Sequence, residues 1–123
     1  MFGGFHKISS LSHSYSLEGE NRIALSLLRS IIEGHDSFLY DDICCNDPTT
    51  GNNTNLFYDL GKRGLCIDPI PSLQSIYREK RPKDHFFLGA VGPERPIEFF
   101  IFEDNTASSA DIKTVARYKK SLL

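Results

Sequence analysis

Two short apolar runs, each ending in an acid and separated by a loop and a helical segment, constrain this chain more than anything else in it. They lie in Phe38 to Pro69, FLYDDICCNDPTTGNNTNLFYDLGKRGLCIDP. The first run (Phe38, Leu39, Tyr40) continues through Asp41 and Asp42 to Ile43. The second (Gly64, Leu65, Cys66, Ile67) ends in Asp68. Strand, loop, helix and acid-tipped strand make the front half of an α/β unit of the kind that binds nucleosides. The loop falls at the carboxyl end of the first strand, where open α/β sheets take ligands. Asp68, at the tip of the next strand, is placed to accept hydrogen bonds from two ribose hydroxyls. It follows Asp42 at close to the interval of roughly 20 residues known for ribose-binding acids. An acid that simply caps a strand in water is the plainer alternative.

The rest of the chain extends this pattern. Ile23, Leu27, Leu28, Ile31 and Ile32 recur at helical spacing, which predicts a helix from about Gly19 to Glu33 with Gly34 as its stop. Residues 38–43 form the first strand. The loop Cys44 to Asn53 is rich in turn formers, and Asn52, Asn53 or Thr54 can cap a helix that closes at Gly61. Pro69-Ile70-Pro71 blocks extension of the second strand, and Ser72 can cap a helix bearing Leu73, Ile76 and Tyr77. Lys80, Arg81 and Lys83 collect near its end, where the helix dipole favours cations. His85 to Val91 reads as a third strand and Ile97 to Phe102 as a fourth, antiparallel or at an edge. Asp104 to Ser109 is a polar loop, and Asp111 to Leu123 a short basic helix. Residues 1–13 carry no period and read as a loose arm, leaving 14–123 as the folded domain.

The bulk numbers exclude several functions. At 123 residues there is room for one modest core. A net charge of −2 argues against nucleic acid or an anionic membrane as partner. No apolar run approaches the roughly 20 residues of a membrane-spanning helix, and the N-terminus lacks a signal-peptide core, so the expected location is cytoplasmic. Cys44 and Cys45 are adjacent and Cys66 lies in a strand, a set that reads as reduced thiols rather than a disulfide framework or a zinc site. The four histidines show no metal-ligand spacing, so no metal is expected. Asn52-Asn53-Thr54 is a formal glycosylation sequon without a secretory signal to support it.

Within the central stretch the residues also resemble a known family. FLYDDICCNDPTTGNNTNLFYDLGKRGLCIDPIPSL is similar to the first motif region of FkbM-family methyltransferases, which typically read "VDIGANDP…SNTYLFY…GWRGLCIEPNP". SYSLEGEN, from Ser14 to Asn21, resembles the "YSQxGED" stretch that precedes it. The resemblance runs from about Ser14 to about Asp104. It implies a Rossmann-like methyltransferase fold, present here as an incomplete α/β unit of about four strands with flanking helices. It further implies S-adenosyl-L-methionine (SAM) as cofactor and methyl transfer to an oxygen or nitrogen of a small-molecule or saccharide-type acceptor. On that resemblance Asp68 holds the ribose, Asp42, Cys44 and Asn46 flank the methionyl portion, and Glu18 faces the cleft. Local turn and strand-end roles for Asp42 and Asn46, and simple helix-start charge for Glu18, stay open beside it.

Two departures shape the expectation. Where the family has Gly-Ala, this chain has Cys44-Cys45. If that position needs positive φ, a side chain costs on the order of 1–2 kcal/mol, and a thiol crowds the ligand. The chain also stops at Leu123, before the D-x-E-G-type motif that the family carries on its next core strand. It therefore reads as the N-terminal part of such an enzyme, whose first strand has an unpaired side that invites self-association or a completing chain. A non-catalytic α/β binding or interaction module derived from a methyltransferase is the alternative. A dinucleotide-binding fragment is disfavoured because G-x-G-x-x-G is absent.

Overall fold

In the computed structural model, which describes residues 15–34, 37 and 39–121, helices and strands alternate along the chain. The order is α1 (Glu20–Gly34), β1 (Leu39–Ile43), α2 (Asn55–Asp59), β2 (Arg63–Asp68), α3 (Pro71–Lys80), β3 (His85–Leu88), a 3-10 turn (Asn105–Ala107) and α4 (Ile112–Ser121). The expected N-terminal arm and the first residue of the expected first strand, Phe38, lie outside the described residues.

The local chemistry explains most of the boundaries. Gly61 adopts φ 87 and its N–H donates to Tyr58 at 2.9 Å, closing α2 in the left-handed conformation that glycine tolerates. The start of α2 is satisfied by Asn52, whose Oδ1 accepts from the Thr54 and Asn55 N–H groups at 2.9 and 2.8 Å. Thr54 itself makes no side-chain capping bond. Helix α3 begins one residue before the expected Ser72 cap. Ile70 is its extended N-cap and Pro71 its first residue, where a missing N–H costs nothing and φ is already set.

The strands form one parallel sheet in the order β1-β2-β3. Leu39 faces Arg63, Tyr40 faces Gly64 and Ile43 faces Ile67, while Leu65 faces His85 and Ile67 faces Phe87. Gly64 is required by its partner. A Cβ there would enter the Tyr40 ring and the Tyr40 carbonyl oxygen. The third strand ends at Leu88, earlier than expected. The expected fourth strand is absent among the described residues: Ile97 to Phe102 stays irregular, with one antiparallel bridge from Phe100 to Ser109. An apolar, β-branched and aromatic run favours extension, but a strand needs a neighbour to bond, and here only a single residue pair supplies one.

The two faces of the sheet differ sharply. Tyr40, Cys66 and Asp68 are buried on one face, in the same core as Leu25 and Ile32 of α1, Leu56 and Phe57 of α2, and Leu73 and Tyr77 of α3. On the other face Leu39, Ile43, Leu65 and Phe87 are exposed. The helical layer thus covers one face. Among the described residues no helix is long and apolar enough to cross a membrane.

Candidate functional site

The two acid-tipped strands bring their ends together, as the sequence pattern requires. Asp68, at the end of β2, is 4% exposed, and its carboxylate spans two loops. One oxygen accepts the Asn46 N–H at 2.9 Å and the other accepts the Ile70 N–H at 3.0 Å. The loop after β1 is therefore tied to the turn after β2 through one side chain. Each oxygen keeps a further lone-pair direction for a ligand donor.

The loop itself is held tightly. Cys44 and Cys45 both donate their N–H groups to the Ile67 carbonyl, at 2.8 and 3.2 Å. Cys44 has φ 60 and Asn46 φ 49, so both occupy left-handed conformations. Asparagine tolerates that region through local hydrogen bonding, whereas cysteine has no such relief. The glycine-favouring backbone anticipated at Cys44 is therefore present, with a side chain on it. Asp47 folds the next turn by accepting from the Thr49 and Thr50 N–H groups at 2.8 and 2.7 Å. Burial works against its charge, but these amides and the Thr49 hydroxyl outweigh it and hold the Asp47 carboxyl below its ordinary range.

A cavity of about 280 Å³ opens at this end of the sheet. Cys44, Asn46, Asp68, Pro69 and Ile70 form one wall. Phe99, Asn105, Thr106, Ser108, Ser109 and Ala110 form the other. That second wall is shaped by local bonds. Phe100 and Ser109 exchange backbone hydrogen bonds of 2.9 and 3.1 Å, the Ser108 hydroxyl accepts the Phe102 N–H at 3.0 Å, and Asp104 caps the 3-10 turn through the Thr106 N–H at 3.0 Å. The lining offers one buried carboxylate, several hydroxyls and amides, and one aromatic face.

Of the residues expected at the site, Cys44, Asn46 and Asp68 meet in this cavity. Asp42 does not line it. It is half-buried and accepts the Thr54 hydroxyl at 2.5 Å, and burial pushes its carboxyl pKa up. Glu18 is exposed, absent from the lining, and its N–H donates to the Glu20 carboxylate at 3.0 Å. The polar wall from Asn105 to Ala110 was visible in the sequence only as a loop. Its place opposite Asp68 depends on the path of the chain after β3.

The thiols divide in two. Cys44 is exposed on the cavity rim, and its pKa is raised by partial burial and then by the nearby Asp68 charge. Cys45 and Cys66 are buried and free. The neighbouring Cys45 thiol and burial push the Cys66 thiol up. Among the described residues no group of His, Cys, Asp and Glu could hold a metal ion.

Beneath the loop lies a polar cluster around Arg81, which the sequence marked only as a cation near a helix end. Arg81, just past α3, is 1% exposed. Its Nη1 donates to Asn52 Oδ1 at 3.1 Å, and its Nη2 donates to the Tyr40 hydroxyl, the Thr54 hydroxyl and Asp84 at 3.1, 3.0 and 2.6 Å. Asp84 also accepts the Gly64 N–H at 3.0 Å and the Tyr40 hydroxyl at 2.8 Å. Asn52 completes the frame by donating to the Cys45 and Asp47 carbonyls at 3.2 and 3.0 Å. At 2% exposure its amide has no room for a glycan, so the sequon is closed by the fold.

No family model matches the chain, and no curated protein or solved structure matches it either.

Proposed function

We propose that the chain is a SAM-type nucleoside-binding domain of FkbM-like methyltransferase character, using the cavity at the carboxyl end of the sheet. The observation that carries this reading is the meeting of Cys44, Asn46 and Asp68 in one cavity. Three positions of the resembled motif, separated by up to 24 residues, share one ligand-sized space at the place where parallel α/β sheets take ligands. The positive φ at Cys44 falls where the resembled family has glycine.

The donor set suits the nucleoside part of the cofactor. Asp68 accepts from the ribose diol with the lone pairs that Asn46 and Ile70 leave free. Asn105, Thr106, Ser108 and Ser109 exchange hydrogen bonds with the remaining polar edges, and Phe99 offers a face for the base. The volume of 280 Å³ is just under the roughly 300 Å³ at which ligand pockets begin, so the cavity would hold the nucleoside and the methionyl arm would extend beyond it. When bound, SAM supplies an electrophilic methyl group for in-line transfer to an oxygen or nitrogen acceptor. This chain's residues bind and orient, and orientation alone contributes much of such a rate.

A second reading, a binding module without chemistry, is favoured by the side chain that Cys44 keeps on the rim at φ 60. Calorimetric titration with S-adenosylhomocysteine separates the two. The expected result is saturable binding that is lost in Asp68→Asn, with the far-UV spectrum of the variant confirming its fold. A folded wild-type chain that releases no heat leaves the module. Binding that Asp68→Asn retains puts the ligand elsewhere.

A further inference from the structure

Among the described residues, Asp68 is the only charged side chain that lines the cavity, and no Lys, Arg or His joins it there. Arg81, in the cluster beneath the loop, offers a ligand no counter-charge. It is 1% exposed, its guanidinium is paired with Asp84 at 2.6 Å, and it also bonds Asn52, Tyr40 and Thr54. A ligand entering the cavity therefore meets a negative wall.

Where α/β units hold a phosphate, they do so with free backbone N–H groups of the loop after the first strand and of the helix behind it. In this chain those donors are taken. Cys44 and Cys45 give their N–H groups to the Ile67 carbonyl, Asn46 gives its own to Asp68, and Thr49 and Thr50 give theirs to the Asp47 carboxylate. The Asn52 N–H donates to the Tyr15 carbonyl at 2.9 Å, while Thr54 and Asn55 donate to Asn52 Oδ1. Pro48, Pro69 and Pro71 have no N–H, and that of Ile70 is held by Asp68. Asp47 thus fills, from within the loop, the place that an anion takes in a phosphate-binding turn.

We infer that the site selects ribonucleosides by the charge of the 5′ substituent, taking neutral or cationic ones and rejecting 5′-phosphates. The inference rests on the nucleoside-binding reading above and adds the class of ligand to it. With the ribose diol on Asp68, the 5′ carbon is directed to the loop after β1, as in sites where an acid and a loop divide a nucleotide between them. A phosphate there meets the fields of Asp68 and Asp47. It could gain an amide donor only by breaking one of the loop's own bonds, which strands the acceptor left behind. A cation gains from the same field. Repulsion does as much of the selecting as contact does.

The test is calorimetric titration of the full chain at neutral pH with adenosine, its 5′-methylthio and 5′-amino derivatives, and its 5′-monophosphate. The neutral methylthio derivative should bind like adenosine, and the cationic amino derivative at least as tightly. The monophosphate should bind at least about 10-fold more weakly than adenosine. A monophosphate that binds as well as adenosine, with both lost in Asp68→Asn, overturns the inference and leaves the nucleoside reading standing. A methylthio derivative as weak as the monophosphate also overturns it, since size rather than charge would then be the cause. A folded chain that binds none of the ligands overturns the inference and the nucleoside reading together.

Discussion

Arg81 Nη2 lies 2.6 Å from the Asp84 carboxylate, and neither side chain exposes any surface. Two charges out of water are tolerated because the cluster leaves few of their hydrogen-bonding positions empty. Removing one partner strands the other. Asp84→Asn is therefore expected to lose about 3–5 kcal/mol in urea unfolding, a large part of the stability of a domain this size. Arg81→Met combined with Asp84→Asn should lose less than the two single losses added together, the mark of a direct pair.

Gly64→Ala tests the approach of β1 to β2. The added methyl meets both the Tyr40 ring and the Tyr40 carbonyl, so ring rotation alone cannot relieve it. A loss of roughly 1–3 kcal/mol is expected in the same assay. Gly34→Ala, where nothing lies within 4 Å, is the matched control and should be neutral or slightly stabilising.

Asp42 gives a pH signature. Burial raises its folded pKa above the ordinary 3.8, so the native state holds this proton more tightly than the unfolded chain does. Its contribution is favourable at acid pH and declines as pH rises from about 3.8 through the raised value, above which it is a constant penalty. Asp42→Asn keeps an acceptor for the Thr54 hydroxyl and cannot ionise. The variant should gain stability relative to wild type as pH increases across that window, measured by urea midpoints from pH 3 to 7. A difference that does not change with pH would sink this account.

Cys44→Gly should stabilise. Relief of a left-handed side chain contributes on the order of 1–2 kcal/mol, offset by the entropy of glycine at roughly 0.5–1 kcal/mol. A net gain of about 1 kcal/mol is expected by thermal unfolding. On the cofactor reading the same change also tightens binding of S-adenosylhomocysteine, because the rim loses its thiol.

Hydrophobic runs made the alternation of helices and strands legible, and their acid ends located Asp68 and the loop it holds. What stayed hidden depends on distant partners. Arg81 sits between Lys80 and Lys83 and looks like one more helix-end cation. Its burial follows from Tyr40, 41 positions away, and from the acid three residues on. The run IEFFIF has every local mark of a strand but finds only Ser109 to pair with. Helical spacing set Ile23, Leu27, Leu28, Ile31 and Ile32 on one stripe and left Leu25 out, yet Leu25 is buried with Ile32 while Ile23, Leu27 and Ile31 are exposed. Periodicity shows that a helix is apolar and leaves open how many of its sides have found a partner.

The span of the Arg81 cluster has a kinetic consequence. Its contacts reach β1, the loop after it, the start of α2, β2 and the turn before β3, across separations of 3 to 41 residues. A guanidinium desolvated with only some of these groups in place would be worse off than in water. The segment from Tyr40 to Asp84 should therefore open and close as a single cooperative unit, with its slowest-exchanging amides sharing one opening free energy. The wall from Phe99 to Ala110 packs on the core through Phe99 but takes no part in the Arg81 cluster, and its other bonds are local. Its amides should therefore exchange faster than those of the cluster, so ligand entry need not wait for the core to breathe.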